Sequence, residues 1–339
     1  MLKWPVSGFW FYLCRMSEVR KYFTQEMNRR GKTGEPFAFL IDFEFSEPRL
    51  FPLEDVAGDL LWQTPFHCNF QEKATECNPF DWNADCVPKK RYAEAFRKVQ
   101  QEIHNGNTYL LNLTFPSRVN TNLTMDEIFF RSRSLYKLFL KGRFVCFSPE
   151  TFVRINNGLI SSYPMKGTID ARLDNAEEIL KNDRKELAEH HTIVDLIRND
   201  LSLVAENVTV EKFRYIDRIK NNRGELLQMS SEITGQLPAG YEENIGTIIA
   251  TMLPAGSICG APKKKTVEII NDAEQYERGY YTGVFGIFDG KNLDSCVLIR
   301  FIEQTGDGLV YKSGGGITFL SNCEDEYNEL IQKIYVPVT

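Results

Sequence analysis

The irregular way in which strand-like and helix-like segments follow one another is what most restricts the fold of this chain. Residues 144–147, 152–155 and 159–162 read as short strands, the last two joined at Asn156-Asn157-Gly158. Residues 283–302 read as a hairpin turning at Asp289-Gly290. Helical patterns interrupt these without a fixed rhythm. Tyr92, Phe96, Val99 and Ile103 form one apolar stripe closed by Gly106, and Thr124 to Glu127 fits a capping box. Longer helical stretches cover roughly 175–198 and 242–253, and Pro262 opens another through about Asn271. A strand at 309–312, a triple glycine and a helix from about 322 close the chain, while 37–43 reads as a buried strand and 63–88 as a loop. Regular βαβ alternation is missing, which argues against a Rossmann-type layout and for an α+β fold.

At 339 residues the chain can build one large core or two intimate ones. A net charge of −6 leaves no basic excess to neutralise phosphates, so nucleic acid is not expected as a partner. Eight cysteines without a CxxC pair read as reduced thiols in a cytoplasmic protein. Val6 to Leu13 is apolar but short, contains Gly8 and lacks a small-residue cleavage site, so it is not read as a signal peptide. Polar, helix-compatible sequence begins at Met16, the expected true start, and no stretch is long enough to span a membrane.

Four acids fall in two pairs spaced by three, Glu186 with Glu189 and Glu326 with Glu329, so each pair shares a helix face. Brought together, the two faces would suit Mg²⁺, which prefers carboxylate oxygens and retained water. A solvated helix face would account for either pair alone. His190 and His191 lack HxxxH or HExxH spacing, which removes a zinc reading. Pro254 to Lys263 is glycine-rich and runs into a helix start, offering backbone amides to an anion, and Gly314-Gly315-Gly316 could form a second such concavity. Arg300 lies in an otherwise apolar strand-like run, 296–302, and needs either a substrate carboxylate or an internal acid as partner. Lys166 stands in a proline-glycine turn, Tyr163-Pro-Met-Lys-Gly-Thr168.

These segments, in order, resemble one family. Tyr109-Leu-Leu-Asn-Leu-Thr114, Ser148-Pro-Glu150, Pro164-Met-Lys-Gly-Thr168, and Glu189-His190 continuing to Asp200 are similar to motifs of the chorismate-binding enzymes. So are Pro254-Ala-Gly-Ser257, Gly260-Ala-Pro-Lys263, Arg278-Gly-Tyr-Tyr-Thr-Gly283, Arg300, Gly314–Gly316 and Glu326-Tyr-Asn-Glu329 with Lys333. The family includes anthranilate, aminodeoxychorismate, isochorismate and salicylate synthases. The resemblance implies an anthranilate synthase-like fold of two packed, largely antiparallel sheets flanked by helices. Residues 1–87 would be a short N-terminal segment packed on a catalytic domain at 88–339. It assigns Mg²⁺ to Glu189 and Glu329 with Glu186 and Glu326 beside them, and the substrate carboxylates to Tyr281, Arg300, Gly314, Gly315, Gly316 and Lys333. Thr168, Gly256 and Ser257 complete the expected substrate contacts, and Glu150 matches the acid that protonates the departing C4 hydroxyl.

Two positions separate the family's reactions. Water-adding members resemble one another in a lysine base where this chain has Leu110, which cannot accept a proton. Anthranilate synthases have alanine where this chain has Lys166, whereas aminodeoxychorismate synthases resemble it in having lysine. The implied reaction is amination of chorismate at C4 through a covalent Lys166 adduct, with Lys166 made partly neutral by burial or a nearby cation. An anthranilate synthase component is the alternative, ahead of an isochorismate or salicylate synthase or a non-catalytic chorismate-binding relative. Ammonia is expected from a separate glutamine amidotransferase subunit in a heterodimer. Gln228 stands where relatives have histidine, and the short N-terminal region implies weak or absent tryptophan binding.

Overall fold

Phe37-Ala-Phe-Leu-Ile41 is apolar on both faces because both faces are covered: Phe37, Phe39 and Ile41 meet helices, while Ala38 and Leu40 enter the space between two sheets. A computed structural model describes residues 6–53, 58–73, 79–221 and 224–337; the side chains of 6–17, 184–185, 219–221 and 224 lie outside that description, as do residues 74–78 of the expected 63–88 loop. The expected start at Met16 falls among the side chains so excluded.

The N-terminal region supplies α1 (Val6–Thr33), β1 (Phe37–Ile41), β2 (Arg49–Pro52), β3 (Leu60–Gln63) and β4 (Trp82–Asp85). Next come α2 (Lys89–His104), β5 (Leu110–Thr121), α3 (Met125–Arg131), β6 (Tyr136–Leu140), β7 (Phe144–Ser148), β8 (Thr151–Asn156), β9 (Leu159–Ser162) and β10 (Met165–Asp170). Then follow α4 (Ala176–Asn182), α5 (Arg184–Ser202), β11 (Glu206–Asn221), β12 (Gly224–Gln236), α6 (Ile245–Met252), α7 (Gly256–Cys259), β13 (Gly260–Ala261) and α8 (Lys263–Glu274). The chain ends with β14 (Val284–Phe288), β15 (Leu293–Val297), β16 (Phe301–Thr305), β17 (Gly308–Thr318) and α9 (Cys323–Gln332).

A nine-stranded sheet runs β10-β12-β9-β8-β15-β14-β1-β2 with β11 on β12. An eight-stranded sheet runs β13-β5-β17-β16-β7-β6-β3 with β4 on β5. The pairings are antiparallel, so the expected α+β architecture of two antiparallel sheets flanked by helices is what the chain forms. The layers are helix, sheet, sheet, helix. Helices α1, α5 and α6 cover the outer face of the larger sheet, and α2, α3, α8 and α9 that of the smaller one. Between the sheets, Ala38, Leu40, Trp62, Tyr136, Leu138 and Phe285 pack into one buried cluster.

Several boundaries depart from the sequence expectation. The helix expected over 175–198 is two, because Asp183 takes an extended conformation and caps α5 by accepting from the Glu186 N–H. The 242–253 helix begins as a 3₁₀ turn at Tyr241–Asn244. The strand expected at 309–312 runs on through the triple glycine as part of β17, in register with β5 (Gly314 with Thr114, Gly315 with Leu113, Gly316 with Asn112). The capping box at Thr124 and Glu127 is present in both directions.

Candidate active site

Two links between the sheets set the acid side of the site. β7 ends in the smaller sheet and β8 begins in the larger one, with Glu150 between them; β15 and β16 reverse the crossing, with Arg300 between them. The links are stitched together. Val297 N–H donates to the Glu150 carbonyl and Phe147 N–H to the Arg300 carbonyl, each at 3.1 Å. Arg300 therefore lies in a bend with φ 56° rather than inside a strand, a conformation uncommon outside glycine. Its Nε is buried with no hydrogen-bond partner, and its guanidinium lies 5.4 Å from the Tyr335 ring centroid. A buried donor left unmade on an arginine is costly, and a bound carboxylate would remove that cost.

Ser257, on α7, donates from its hydroxyl to Glu150 Oε1 at 2.5 Å. Burial pushes the Glu150 carboxyl above its ordinary range, against the pull of that bond and of the Lys166, Arg300 and Lys333 charges. A carboxyl that burial makes hold its proton more tightly, set among cations, suits a proton donor. Tyr281 is buried and its phenol is pushed up by burial, so it stays a neutral donor.

Lys166 lies in strand β10, not in a turn, where the pairing with β12 shifts register between Met165 and Thr168. Gly167, at φ +84°, makes that irregularity possible and leaves room for Glu186, whose Oε2 would sit 3.1 Å from a methyl group there. Lys166 Nζ reaches Glu189 Oε2 at 3.5 Å. It also lies 3.1 Å from the position of a methyl on Gly316, with Leu110 Cδ1 3.3 Å from the same point. Gly315 faces Glu326 and Glu329, whose nearest oxygens are 3.5 Å from its own methyl position. Lys333 ion-pairs with Glu329 at 2.5 Å and donates to the Gly314 carbonyl at 3.0 Å. The expected acids, lysines and glycines thus converge from α5, α9, β10 and β17.

Burial pulls the Lys166 ammonium down, but Glu189, Glu329 and Glu186 outweigh it and the net shift is upward. The expected depression is therefore absent here, because three carboxylates hold the ammonium charged. Glu186 in turn is pushed up by burial and then by the negative charge of Glu189. Among the described residues no three His, Cys, Asp or Glu side chains gather in coordinating positions. Two of the acids are drawn onto lysines instead. The donor set is all oxygen and crowded with like charge, which is the chemistry a hard divalent cation fits.

Other expected contacts are placed differently. Thr168 is exposed, in register with Gln228. The Gly256 N–H is taken by Asp200, which also ion-pairs with Lys263 at 2.9 Å. Asp200 and Lys263 had no assigned role in the sequence, although both were charged residues inside recognisable segments; they brace α7 and hence Ser257. His190 is fully buried against the Ser231 hydroxyl at 2.7 Å.

Residues 58–339 match the chorismate binding enzyme family. The chain belongs to that family. It is 52% identical over 319 residues to an uncharacterised PabA-like protein of Pasteurella multocida, covering 93% of this chain and 98% of that one. It is 30% identical over 322 residues to aminodeoxychorismate synthase component 1 of Escherichia coli, covering 88% of this chain and 67% of that protein. The solved structure of the menaquinone-specific isochorismate synthase of Escherichia coli superposes with a TM-score of 0.71 over 92% of this chain and 80% of that one; at 16% identity this likeness shows the fold alone. As a chorismate-binding enzyme, the chain places its family motifs around the Lys166 ammonium and the Glu150 carboxyl. No described helix is long and apolar enough to cross a membrane.

Proposed function

We propose that this enzyme is the synthase component of an aminodeoxychorismate synthase, aminating chorismate at C4 with ammonia to give 4-amino-4-deoxychorismate, the precursor of p-aminobenzoate and folate. The observation that carries the reading is the position of Lys166 Nζ, in the clearing left by Gly316, beside Leu110 and 3.5 Å from Glu189. An amine at that place is a nucleophile, whereas the leucine beside it cannot take a proton from water. The relatives named aminodeoxychorismate synthase component 1 support the same assignment.

In this reading the neutral amine of Lys166 bonds to C2 as the ring double bonds shift and the C4 hydroxyl departs. Glu150 supplies the proton that lets it leave as water. Ammonia then bonds to C4, and the Lys166 nitrogen leaves C2 with its electron pair. Arg300, Tyr281, Lys333 and the backbone amides of Gly314–Gly316 hold the two substrate carboxylates. Glu189 and Glu329, with Glu186 and Glu326 beside them, would hold Mg²⁺. The cation would neutralise those carboxylates, so that burial rather than their charge governs Lys166, and would polarise substrate oxygens. Ammonia would come from a glutamine amidotransferase subunit bound as a heterodimer.

The test is incubation with chorismate, Mg²⁺ and an ammonium salt at alkaline pH, with products separated chromatographically. 4-Amino-4-deoxychorismate is expected; anthranilate, salicylate or no turnover would each overturn the assignment. Lys166→Ala should abolish 4-amination, and full activity in that variant would exclude the covalent route.

A further inference from the structure

Away from the chorismate site, one hollow carries the opposite charge to the chain as a whole. It encloses about 550 Å³ between the segment holding Phe70, Glu72 and Lys73, the end of α3 and the start of β6. Among the described residues that line it, Lys73, Arg131, Arg133 and Lys137 are cationic and Glu72 is acidic, in a chain of net charge −6. Such a reversal concentrates anions locally.

Lys137 is the residue that packing does not explain. Along β6, Tyr136, Leu138 and Leu140 enter the space between the sheets, so Lys137 faces the other way, toward α3. It is only 5% exposed, its ammonium opens into the hollow, and the Glu72 carboxylate lies near enough to act on its charge. Its ammonium lies 4.7 Å from the Phe129 ring centroid and 5.4 Å from that of Phe70. Ring faces offset part of the cost of burying a cation but give its three N–H groups no acceptor. Were the position purely structural, an apolar side chain of similar length would serve better. Phe70 and Phe130, edge to face at 5.6 Å, form the wall of the same hollow, and Lys73 lies over the Phe130 ring.

We propose that this hollow is a binding site for a small polyanion, a phosphate- or polycarboxylate-bearing molecule, with Lys137 at its base and Arg133 and Lys73 at its rim. The anion's oxygens take the place of water at the Lys137 ammonium, and the charges of Arg133 and Lys73 hold the rest of the molecule. The site stands independently of which reaction the chorismate pocket runs.

Calorimetric titration of the full chain at low ionic strength, with pyrophosphate and with citrate in separate runs, tests this. Saturable one-to-one binding is expected with at least one of them; pyrophosphate alone assigns a phosphate ester, citrate alone a polycarboxylate. Lys137→Met should weaken that binding by about tenfold or more, the loss of one charge-assisted contact. Arg133→Gln, at an exposed position, should weaken it severalfold without affecting the fold. Chorismate affinity should be unchanged in both variants. Absence of saturable heat with either anion overturns the proposal. So does an affinity that neither substitution alters, including a Lys137→Met protein that simply melts higher.

Discussion

Three neighbouring glycines in β17 face three different obstacles, so alanine at each should fail in a different way. None of the three adopts a positive φ, so the backbone accepts alanine and only the added methyl matters. At Gly316 that methyl would sit 3.1 Å from Lys166 Nζ and 3.3 Å from Leu110 Cδ1, tighter than ordinary contact by a few tenths of an ångström. The lysine is the more flexible neighbour, so its ammonium retreats from the reacting position. Misplacing a reacting group by roughly 1 Å costs about 10²-fold, so a few tenths should cost about tenfold in kcat, or ~1.4 kcal/mol of barrier. At Gly315 the methyl would stand 3.5 Å from Glu326 and Glu329, an ordinary contact, and activity should stay within about twofold. At Gly314 it would strike the Leu113 carbonyl at 2.3 Å, backbone that cannot yield without disturbing the β5–β17 ladder. There the loss should be in stability, about 1–3 kcal/mol, read as a lower Tm. Steady-state kinetics with chorismate and ammonium, alongside thermal melts, separate the three. A Gly316→Ala enzyme with wild-type kcat, or a Gly315→Ala enzyme more impaired than Gly316→Ala, would refute the placement of Lys166.

Ser257→Ala removes the bond that holds the Glu150 carboxyl down against burial, so Glu150 should keep its proton to higher pH and the alkaline limb of the kcat/KM profile should move upward; an unmoved limb sinks the role of Ser257. Glu44 is pushed up to about 7 by burial and the Asp42 charge, so its contribution is full below the unfolded carboxyl range and lost as pH rises to 7. Glu44→Gln should therefore melt higher than wild type at pH 8, by up to about 2 kcal/mol given its partial exposure, and alike at pH 4. A chelator should stop turnover and weaken chorismate binding, both restored by Mg²⁺; chorismate bound equally well without divalent cations would count against the acid pairs as a metal site.

Much of the site was legible because its chemistry is carried by residue types that stand out locally. Glu186 with Glu189 and Glu326 with Glu329 announce themselves by spacing, and both pairs fall on helices that face Lys166. Arg300 was misread as strand-borne because the apolar run 296–302 continues through the change of sheet, and hydropathy cannot register a bend. Lys166 was read as a turn residue because Pro164 and Gly167 signal turns, whereas here Gly167 serves a strand irregularity beside Glu186. The long strand β5 went unseen, since Leu110, Leu111 and Leu113 alternate imperfectly and its partner glycines in β17 carry no strand signal. Ser257 was legible as a site residue but not as the partner of Glu150, a pairing 107 positions apart in sequence.

The charges around the site argue for a cation more strongly than any single acid does. Glu150, Glu186, Glu189, Glu326 and Glu329 stand opposite Lys166, Lys333 and Arg300. If Glu150 holds the proton that the proposed reading requires, four carboxylates remain against three cations among the described residues. A substrate with two carboxylates entering that arrangement would raise the negative excess to three beside half-buried side chains, where like charges repel more strongly than in open water. The lysines cannot supply the deficit, because Lys166 is already committed to Glu189 and Lys333 to Glu329. One divalent cation on the acids would reduce the excess with substrate bound to one while Lys166 keeps its charge. In the proposed reading it would also release both lysines from their carboxylates, Lys333 for the substrate and Lys166, once deprotonated, for attack. In that reading the same neutralisation that lets the substrate in would serve the nucleophile, and a lysine between two pairs of acids would suit this chemistry better than a lysine simply buried among apolar groups.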